Sequence, residues 1–521
     1  MCGIAGVWSR DLNDQRRTAR ALESIRHRGP DANGVYQDEC VSLAHARLAI
    51  IDPEGGAQPM TLDALTVVFN GMIFNYRALR AELERCGARF RSACDTEVLL
   101  HGFRIWGLEG MLARLNGMFA FALYDSETHR LILARDRMGE KPLYYSRLPR
   151  GVAFASEIKG VLKYLDHVSL NIPKDWFVLE NTLSPNTLFR NVRSLLPASY
   201  MIIQDGDIAA YEEYWSFPAD PMHDIDEAAA VAILRDLVMD AVSIRTQSDV
   251  PVSMFLSGGL DSSIIACLTK PSVVFSAGYP SFDGKFSELD YARCVADWIG
   301  AEQVEVTLTR DDIIDIPRHL DHILEHLDQP ISTSSTITSF RLAQAAARRG
   351  FKVILNGQGA DEVFGGYARY VLMKQEHTLA QDPFYQQYTP MAQRLWGDAV
   401  FNPVESRYLT LNQRAKPQTR DALAFYASVM GDYSRLGLIS QIGIIDAMTT
   451  LQDLIVMDDR ACASVGIESR SPFLDYRLVE FGMRLPDELK IKGTETKRLL
   501  RMAMKGIVPD AILNRRDKMG M

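Results

Sequence analysis

Residues 255–268, FLSGGLDSSIIACL, run from an apolar strand through a Ser-Gly-Gly turn into a helix. Glycines there let backbone amides close on an oxyanion. Ser257, Ser262 and Ser263 add hydroxyl donors at the positive end of the helix, so the loop reads as an anion cradle. Asp261 inside it would repel a phosphate unless a hard cation lay between them, which points to Mg2+. No Lys follows the glycines, so the loop is not of the Walker A type. GYPSFDGK at 278–285 has the wrong glycine spacing and reads as a surface turn. The plain alternative for 255–268 is a capped strand-to-helix turn, which leaves Asp261 and the Ser cluster without a purpose. A second loop, VILNGQGADEVFGGYARY at 353–370, repeats the plan with Gly357, Gly359, Asp361 and Glu362. Two such loops at the carboxyl edge of one parallel sheet grip a single nucleotide, here ATP.

Outward from this core, apolar strands (250–256, 272–279, 303–309, 351–357) alternate with helical stretches (225–247, 288–300, 339–350). That alternation predicts a doubly wound parallel α/β sheet. After residue 370 the pattern is mostly helical. The first 200 residues differ, with short apolar or alternating runs at 41–51, 64–71, 117–125, 129–136, 151–157 and 198–211 between turns. Two helices interrupt them, at 76–87 and from a capping-type Asp95 onward. The connector YWSFPADPMHDID at 214–226 places a boundary near 215 to 225.

The 521 residues carry 57 basic and 66 acidic side chains, a net charge of −9 that offers no basic field for nucleic acid. Seven cysteines at 2, 40, 86, 94, 267, 294 and 462 show no CxxC pair, so neither a zinc site nor a disulfide framework is indicated. No apolar run approaches the roughly 20 residues that span a bilayer, and no signal-peptide pattern opens the chain. The expectation is a cytoplasmic protein with small-molecule partners, no nucleic acid and no membrane.

The chain opens MCGIAGVWS. Removal of Met1 would give Cys2 a thiol and a free α-amine that titrates near roughly pH 8, a nucleophile with a built-in base. Taken alone, a Met-Cys start is more readily a matter of chance.

The order of MCGIAG, RHRGPD, HARLAIID, FNGMIFNY, CDTEV, LNGMFAFALYD, ARDRMGEKPLYY, FASEIK, LSGGLDSS, NGQGADEVFGGY, ESRSPFLD and KGTETKRLLR resembles the glutamine-hydrolysing asparagine synthetase family over essentially the whole chain. The resemblance implies a four-layer αββα N-terminal-nucleophile glutaminase domain at 2–215. It implies an ATP pyrophosphatase domain with a helical extension at 225–521, and a homodimer. It makes Cys2 the nucleophile on glutamine, Asn70 and Gly71 the oxyanion hole, and Arg47, Ile51, Met72 and Asp95 the glutamine pocket. It gives Phe255, Leu256, Ser257, Gly258, Gly259, Asp261, Ser262, Ser263, Ala277, Asn356, Gly357 and Lys497 to ATP and pyrophosphate, Asp261 and Asp361 to Mg2+, and Ser334 and Gln358 to the acceptor. Lys497 also matches the Lys that steadies charge as an acyl-adenylate forms. Ammonia then passes inside the protein to displace AMP. His27 is read as a structural hydrogen-bonding residue.

Three positions depart from the family pattern. Met72 stands where a Glu helps hold the α-ammonium of glutamine. Gln358 stands where a Glu or Asp lies near the amino-acid substrate, and an amide is no general base. The run PISTSSTITSF at 330–340 lacks the charged residue that holds aspartate and offers Ser332, Thr333, Ser334 and Ser335 instead. The chain also stops at NRRDKMGM, where relatives continue through another helical segment, and a trimmed or disordered end is expected. The leading expectation is conversion of aspartate to asparagine. The alternatives are amidation of another carboxylate, from a secondary metabolite or envelope sugar, and a non-catalytic homologue.

Overall fold

The computed structural model describes residues 1–179, 182–279, 288–309, 316–330, 335–381, 402–412 and 420–516. The turn read at 278–285 and the end at 514–521 fall largely outside them, and Ser332, Thr333 and Ser334 wholly so.

The N-terminal half contains two six-stranded antiparallel sheets. The first runs in the order Arg193–Ser194, Tyr144–Leu148, Gly151–Ala155, Gly3–Ser9, Val41–Arg47, Ala32–Gln37. The second runs Asp207–Glu213, Ser199–Gln204, Arg130–Arg135, Gly117–Asp125, Leu65–Ile73, Met60–Leu62. All of Gly3–Ser9 is buried because both faces of its sheet are covered. Ile4 and Trp8 pack against Val68, Ala120, Ala122 and Met201 of the second sheet. Ala5 and Val7, one residue out of phase, pack under the helices Thr18–Ile25 and Ile158–Leu162. Alternation of side chains across a strand thus serves two layers at once. The helices Tyr76–Arg85 and Thr96–Arg114 cover the outer face of the second sheet, which completes four layers in the order αββα.

The C-terminal half is built on a parallel sheet in the order Glu302–Thr307, Val273–Gly278, Val252–Phe255, Val353–Leu355, Glu468–Arg470. The chain starts in the middle, works outward on one side, then returns to build the other. The loops that leave Val252–Phe255 and Val353–Leu355 therefore diverge and open a crevice at the carboxyl edge, where doubly wound sheets take their ligands. Among the described residues, helices predominate after 370; Leu438–Met448 is almost wholly buried, and Thr450–Ala463 is buried from Met457 to its end.

The halves meet through charges that have no access to water. Arg28, fully buried, sends Nη1 to Glu157 Oε1 at 2.8 Å and to Asp459 Oδ2 at 2.9 Å, and Nη2 to Asp459 Oδ1 at 3.1 Å. Its Nε donates to the Cys2 carbonyl at 2.9 Å. Arg460 Nη1 lies 2.6 Å from Glu157 Oε1. His27 Nε2 joins the same carboxylate at 3.1 Å, the structural role expected of it. A second cross-link runs from Asn116 Nδ2 to Asp475 Oδ2 at 3.1 Å. No helix among the described residues is long and apolar enough to cross a membrane.

Removing one member of a buried ion network strands the others, at a cost of about 3 to 5 kcal/mol. Arg28→Met keeps the volume but leaves Asp459 without its guanidinium. The variant is expected to lose stability on that scale in chemical denaturation, and a loss under about 1 kcal/mol would mean that the seam is held by other contacts.

Candidate active site

Residues from four separate stretches of the N-terminal half line one cleft: Cys2, Arg47 with Ile51, Gly71 with Met72, and Asp95. The cleft is narrow and open to solvent at one end. Cys2 lies just ahead of the central strand Gly3–Ser9. Its sulfur accepts the Leu48 N–H at 3.4 Å, and burial pushes the thiol above its ordinary value. Met1 is fully buried, and its amino group, held near 5 by burial, donates to the Ile467 carbonyl at 3.2 Å.

Asn70 and Gly71 share the strand Leu65–Ile73; Phe69, Gly71 and Met72 of that strand line the cleft, and Asn70 lies between them without lining it. Asn70 is fully buried, and both side-chain amide atoms lack a hydrogen-bond partner. A buried polar group left this way is costly unless a ligand completes it. Gly71 has φ +148°, and a Cβ there would stand 2.0 Å from the Met118 carbonyl oxygen, so only glycine fits.

Arg47 fixes its guanidinium on the carbonyls of Pro53 and Asp52, each at 2.7 Å. Asp95 sits at the cap position of Thr96–Arg114 but makes no cap bond to that helix. Its Oδ2 instead accepts the Ile73 N–H at 2.9 Å, because the carboxylate turns inward to the strand edge. Burial pushes Asp95 up to about 7, with the Ile73 bond opposing and Glu468 assisting.

The second site forms at the carboxyl edge of the parallel sheet. Helix Leu260–Thr269 begins at Gly259 without a side-chain cap, so its first amides are available to an anion. The Ser257 and Ser262 hydroxyls lie 3.1 Å apart. Gly258 has φ +75°, and a Cβ there would meet the Ala292 nitrogen at 2.6 Å. Gly357 brings the second loop against the first, since its Cβ would lie 3.0 Å from Asp261 Cβ. Lys497 ties the loops together, with Nζ 2.6 Å from Asp261 Oδ2 and 2.6 Å from Asp361 Oδ1. Ser263 is buried behind the cradle with a hydroxyl that finds no partner. Phe255 and Leu256 carry the strand into the loop, Leu256 N–H bonding the Phe275 carbonyl at 2.8 Å, and Ala277 lies on the next strand.

Asn356 and Gln358 face a different way from the cradle. Asn356 Nδ2 donates to Ser469 Oγ at 2.7 Å and to Asp458 Oδ2 at 3.3 Å, while its Oδ1 accepts from Ser471 Oγ at 2.7 Å. Gln358 Nε2 donates to Asp458 Oδ2 at 3.2 Å. Ser334 lies outside the described residues.

Sequence reading missed several residues that the fold adds. Glu468 and Arg470 line the thiol cleft from the C-terminal half, with Arg470 Nε on Glu468 Oε1 at 2.8 Å. They lie within ESRSPFLD, a stretch whose sequence marks the family and points to no role for either residue. Arg501 and Arg515 line the nucleotide-side cleft, Arg515 Nη1 donating to the Gly258 carbonyl at 3.1 Å. Asp458 carries no motif at all.

Residues 233–521 match the family model for asparagine synthase, and residues 1–215 match that for a glutamine amidotransferase domain. The chain is 33% identical to asparagine synthetase [glutamine-hydrolyzing] 1 of Bacillus subtilis, over 99% of this chain and 86% of the relative. It is 33% identical to a putative asparagine synthetase [glutamine-hydrolyzing] of Mycobacterium tuberculosis (strain ATCC 25618 / H37Rv), over 95% and 82%. For asparagine synthetase B [glutamine-hydrolyzing] of Escherichia coli the identity is 29%, over 98% and 80%.

Because Lys497 Nζ occupies the space between two carboxylates, it competes with any divalent cation in the absence of nucleotide. Lys497→Met removes that competitor. Mg2+ alone is expected to raise the melting temperature of this variant more than that of the unaltered chain. Equal shifts would show that the two carboxylates do not share a cation.

Proposed function

The chain belongs to the glutamine-hydrolysing asparagine synthetases and is a carbon–nitrogen ligase of that type, and we propose that it converts aspartate to asparagine with ATP and the amide nitrogen of glutamine. The observation that carries this reading is the pairing of two chemically distinct sites across one buried seam. A thiol cleft with an unpartnered amide lies on one side, and a loop cradle with two carboxylates and a lysine lies on the other. The names of the relatives support aspartate as the acceptor.

In this reading residues 2–215 release ammonia and residues 225–521 consume it. With Met1 removed, the Cys2 α-amine takes the thiol proton as sulfur attacks the glutamine amide carbon, and the same amine returns a proton to departing ammonia. The Asn70 amide and the Gly71 N–H are donors for the tetrahedral oxygen, worth a few kcal/mol each, about 3 on the usual scale. Arg47 pairs with the glutamine carboxylate and Asp95 with its α-ammonium.

The nucleotide-side residues fit Mg2+ and ATP. Hard carboxylate oxygens of Asp261 and Asp361 suit Mg2+, and the uncapped first amides of Leu260–Thr269 suit a phosphate. Bound Mg2+ would neutralise phosphate charge. Ser257, Gly258, Gly259 and Ser262 hold pyrophosphate, and Lys497 follows the negative charge as the β-carboxylate of aspartate displaces it to form the acyl-adenylate. All seven cysteines are free, which suits a reducing compartment and supports a cytoplasmic location.

Pyrophosphate release with ammonia, Mg2+ and ATP, screened over aspartate and a panel of other carboxylates, tests the acceptor. Asparagine formation is expected, release only with another carboxylate would move the reading to that acceptor, and silence throughout would leave a non-catalytic homologue. Cys2→Ala should abolish glutamine-dependent turnover and spare ammonia-dependent turnover, whereas equal loss with both donors would contradict the division of labour.

Met72→Glu restores a second carboxylate beside the α-ammonium and should lower the KM for glutamine by roughly five- to hundredfold, the size of one charge-assisted bond. An unchanged KM would show that this position has no role in binding. Asp95, held near 7, is charged above that pH and neutral below it. The KM for glutamine should therefore climb as pH falls through 7, by up to about tenfold per unit, and a flat profile would remove Asp95 from the glutamine contact.

A further inference from the structure

Gln358 leaves its own loop without a carboxylate toward the acceptor, but the fold delivers one from a buried helix. Asp458, on Thr450–Ala463, is 7% exposed and points its carboxylate at that loop. Oδ2 accepts from Gln358 Nε2 at 3.2 Å and from Asn356 Nδ2 at 3.3 Å, and Oδ1 accepts from Ser339 Oγ at 3.2 Å. No cation lies among these three partners.

Asp458 also lines a small cavity at the seam together with Glu140, Lys141, Asn356, Asp459 and Ser469. The space holds little more than one water-sized molecule, which is the size of ammonia. On one side Lys141 Nζ touches the Met1 sulfur at 3.1 Å, next to Cys2. On the other, Asn356 leads into Gly357, which packs against Asp261 and Ser262 of the nucleotide loop. The cavity thus abuts the approaches to both sites.

We propose that Asp458, presented by Gln358, is the proton acceptor for the nitrogen that enters the second site. The proposal rests on the amidotransferase reading above and deepens it. The nitrogen lone pair forms a bond to the carbonyl carbon of the acyl-adenylate, and the bond from that carbon to the AMP oxygen breaks with its electron pair leaving on AMP. One proton from the nitrogen passes to the Asp458 carboxylate.

Burial holds Asp458 near 6, with Asp459 adding to the rise and the Gln358 and Ser339 bonds opposing it, so it accepts a proton close to neutrality. The charged groups around it are Asp459, which is committed to Arg28, and Glu140 and Lys141 on the cavity wall. The arrangement moves the carboxylate by one side chain: an amide stands where the family has an acid, and the acid stands behind the amide.

The variant Asp458→Asn keeps size and hydrogen-bonding capacity, so a purely structural role predicts no selective effect. Two reactions are read on the full chain with ammonia, Mg2+, ATP and the acceptor found in the carboxylate screen: ATP–pyrophosphate exchange, which follows adenylation, and amide formation. Exchange is expected to persist within about threefold, while amide formation falls by about a hundredfold or more, the usual contribution of a positioned base. The double variant Asp458→Asn with Gln358→Glu, which returns the carboxylate to the loop, should recover at least about tenfold of that loss. Amide formation retained within about threefold in Asp458→Asn would overturn the proposal, as would equal loss of both reactions with no rescue. An unaltered chain that adenylates a carboxylate yet never forms an amide would overturn the amidotransferase reading instead, and this role with it.

Discussion

A guanidinium with no water to bond must aim all its donors at protein, and Arg28 aims them in three directions at once. One bond fixes the carbonyl of Cys2, one goes to Glu157 within the N-terminal half, and a bidentate pair crosses to Asp459. Asp459 is the chain neighbour of Asp458, which holds the Gln358 loop. The thiol and the Gln358 loop therefore hang from one buried ion network. Neither can shift without straining charges that have no alternative partner in solvent.

That coupling explains how the two sites draw charge from across the seam. The thiol cleft loses a carboxylate at Met72 but has Glu468 and Arg470 of the C-terminal half on its wall. The second site lacks a carboxylate at Gln358 and has Asp458 behind it, in a cavity completed by Glu140 and Lys141 of the N-terminal half. Each half finishes the electrostatics of a site that the other begins. Substitutions within a single motif therefore say less about the charge of these pockets than their sequence suggests.

The parallel sheet was legible in the sequence because its strands are continuous apolar runs that end in glycine loops, and such runs admit few other readings. Residues that share a strand or loop, such as Asn70 with Gly71 or Ser257 with Asp261, were legible as groups for the same reason. Ala32–Gln37 escaped because it is an edge strand with a half-exposed pattern, and Tyr144–Leu148 because it follows the proline loop at 142. From local pattern Asp95 reads only as a helix cap, its place in the glutamine pocket coming from the family resemblance, since sequence shows the helix it precedes and not the Ile73 amide that it meets from another layer. Glu468, Arg470 and Asp458 were invisible as site residues because their position is set by packing across hundreds of residues, not by local pattern.

The burial of Met1 has a consequence for how the chain must be made. An aminopeptidase needs the first amine inside its own active site, and here that amine has no exposure and is bonded to Ile467, 466 residues away. Excision of Met1, which the proposed role of Cys2 requires, then belongs to the interval before the seam closes. At about 5 to 20 residues per second on the ribosome, that interval lasts roughly 25 to 90 seconds. Under the proposed role of Cys2, a copy that folds shut with Met1 in place keeps the Cys2 nitrogen tied up in a peptide bond, where it has no lone pair to serve the thiol as a base.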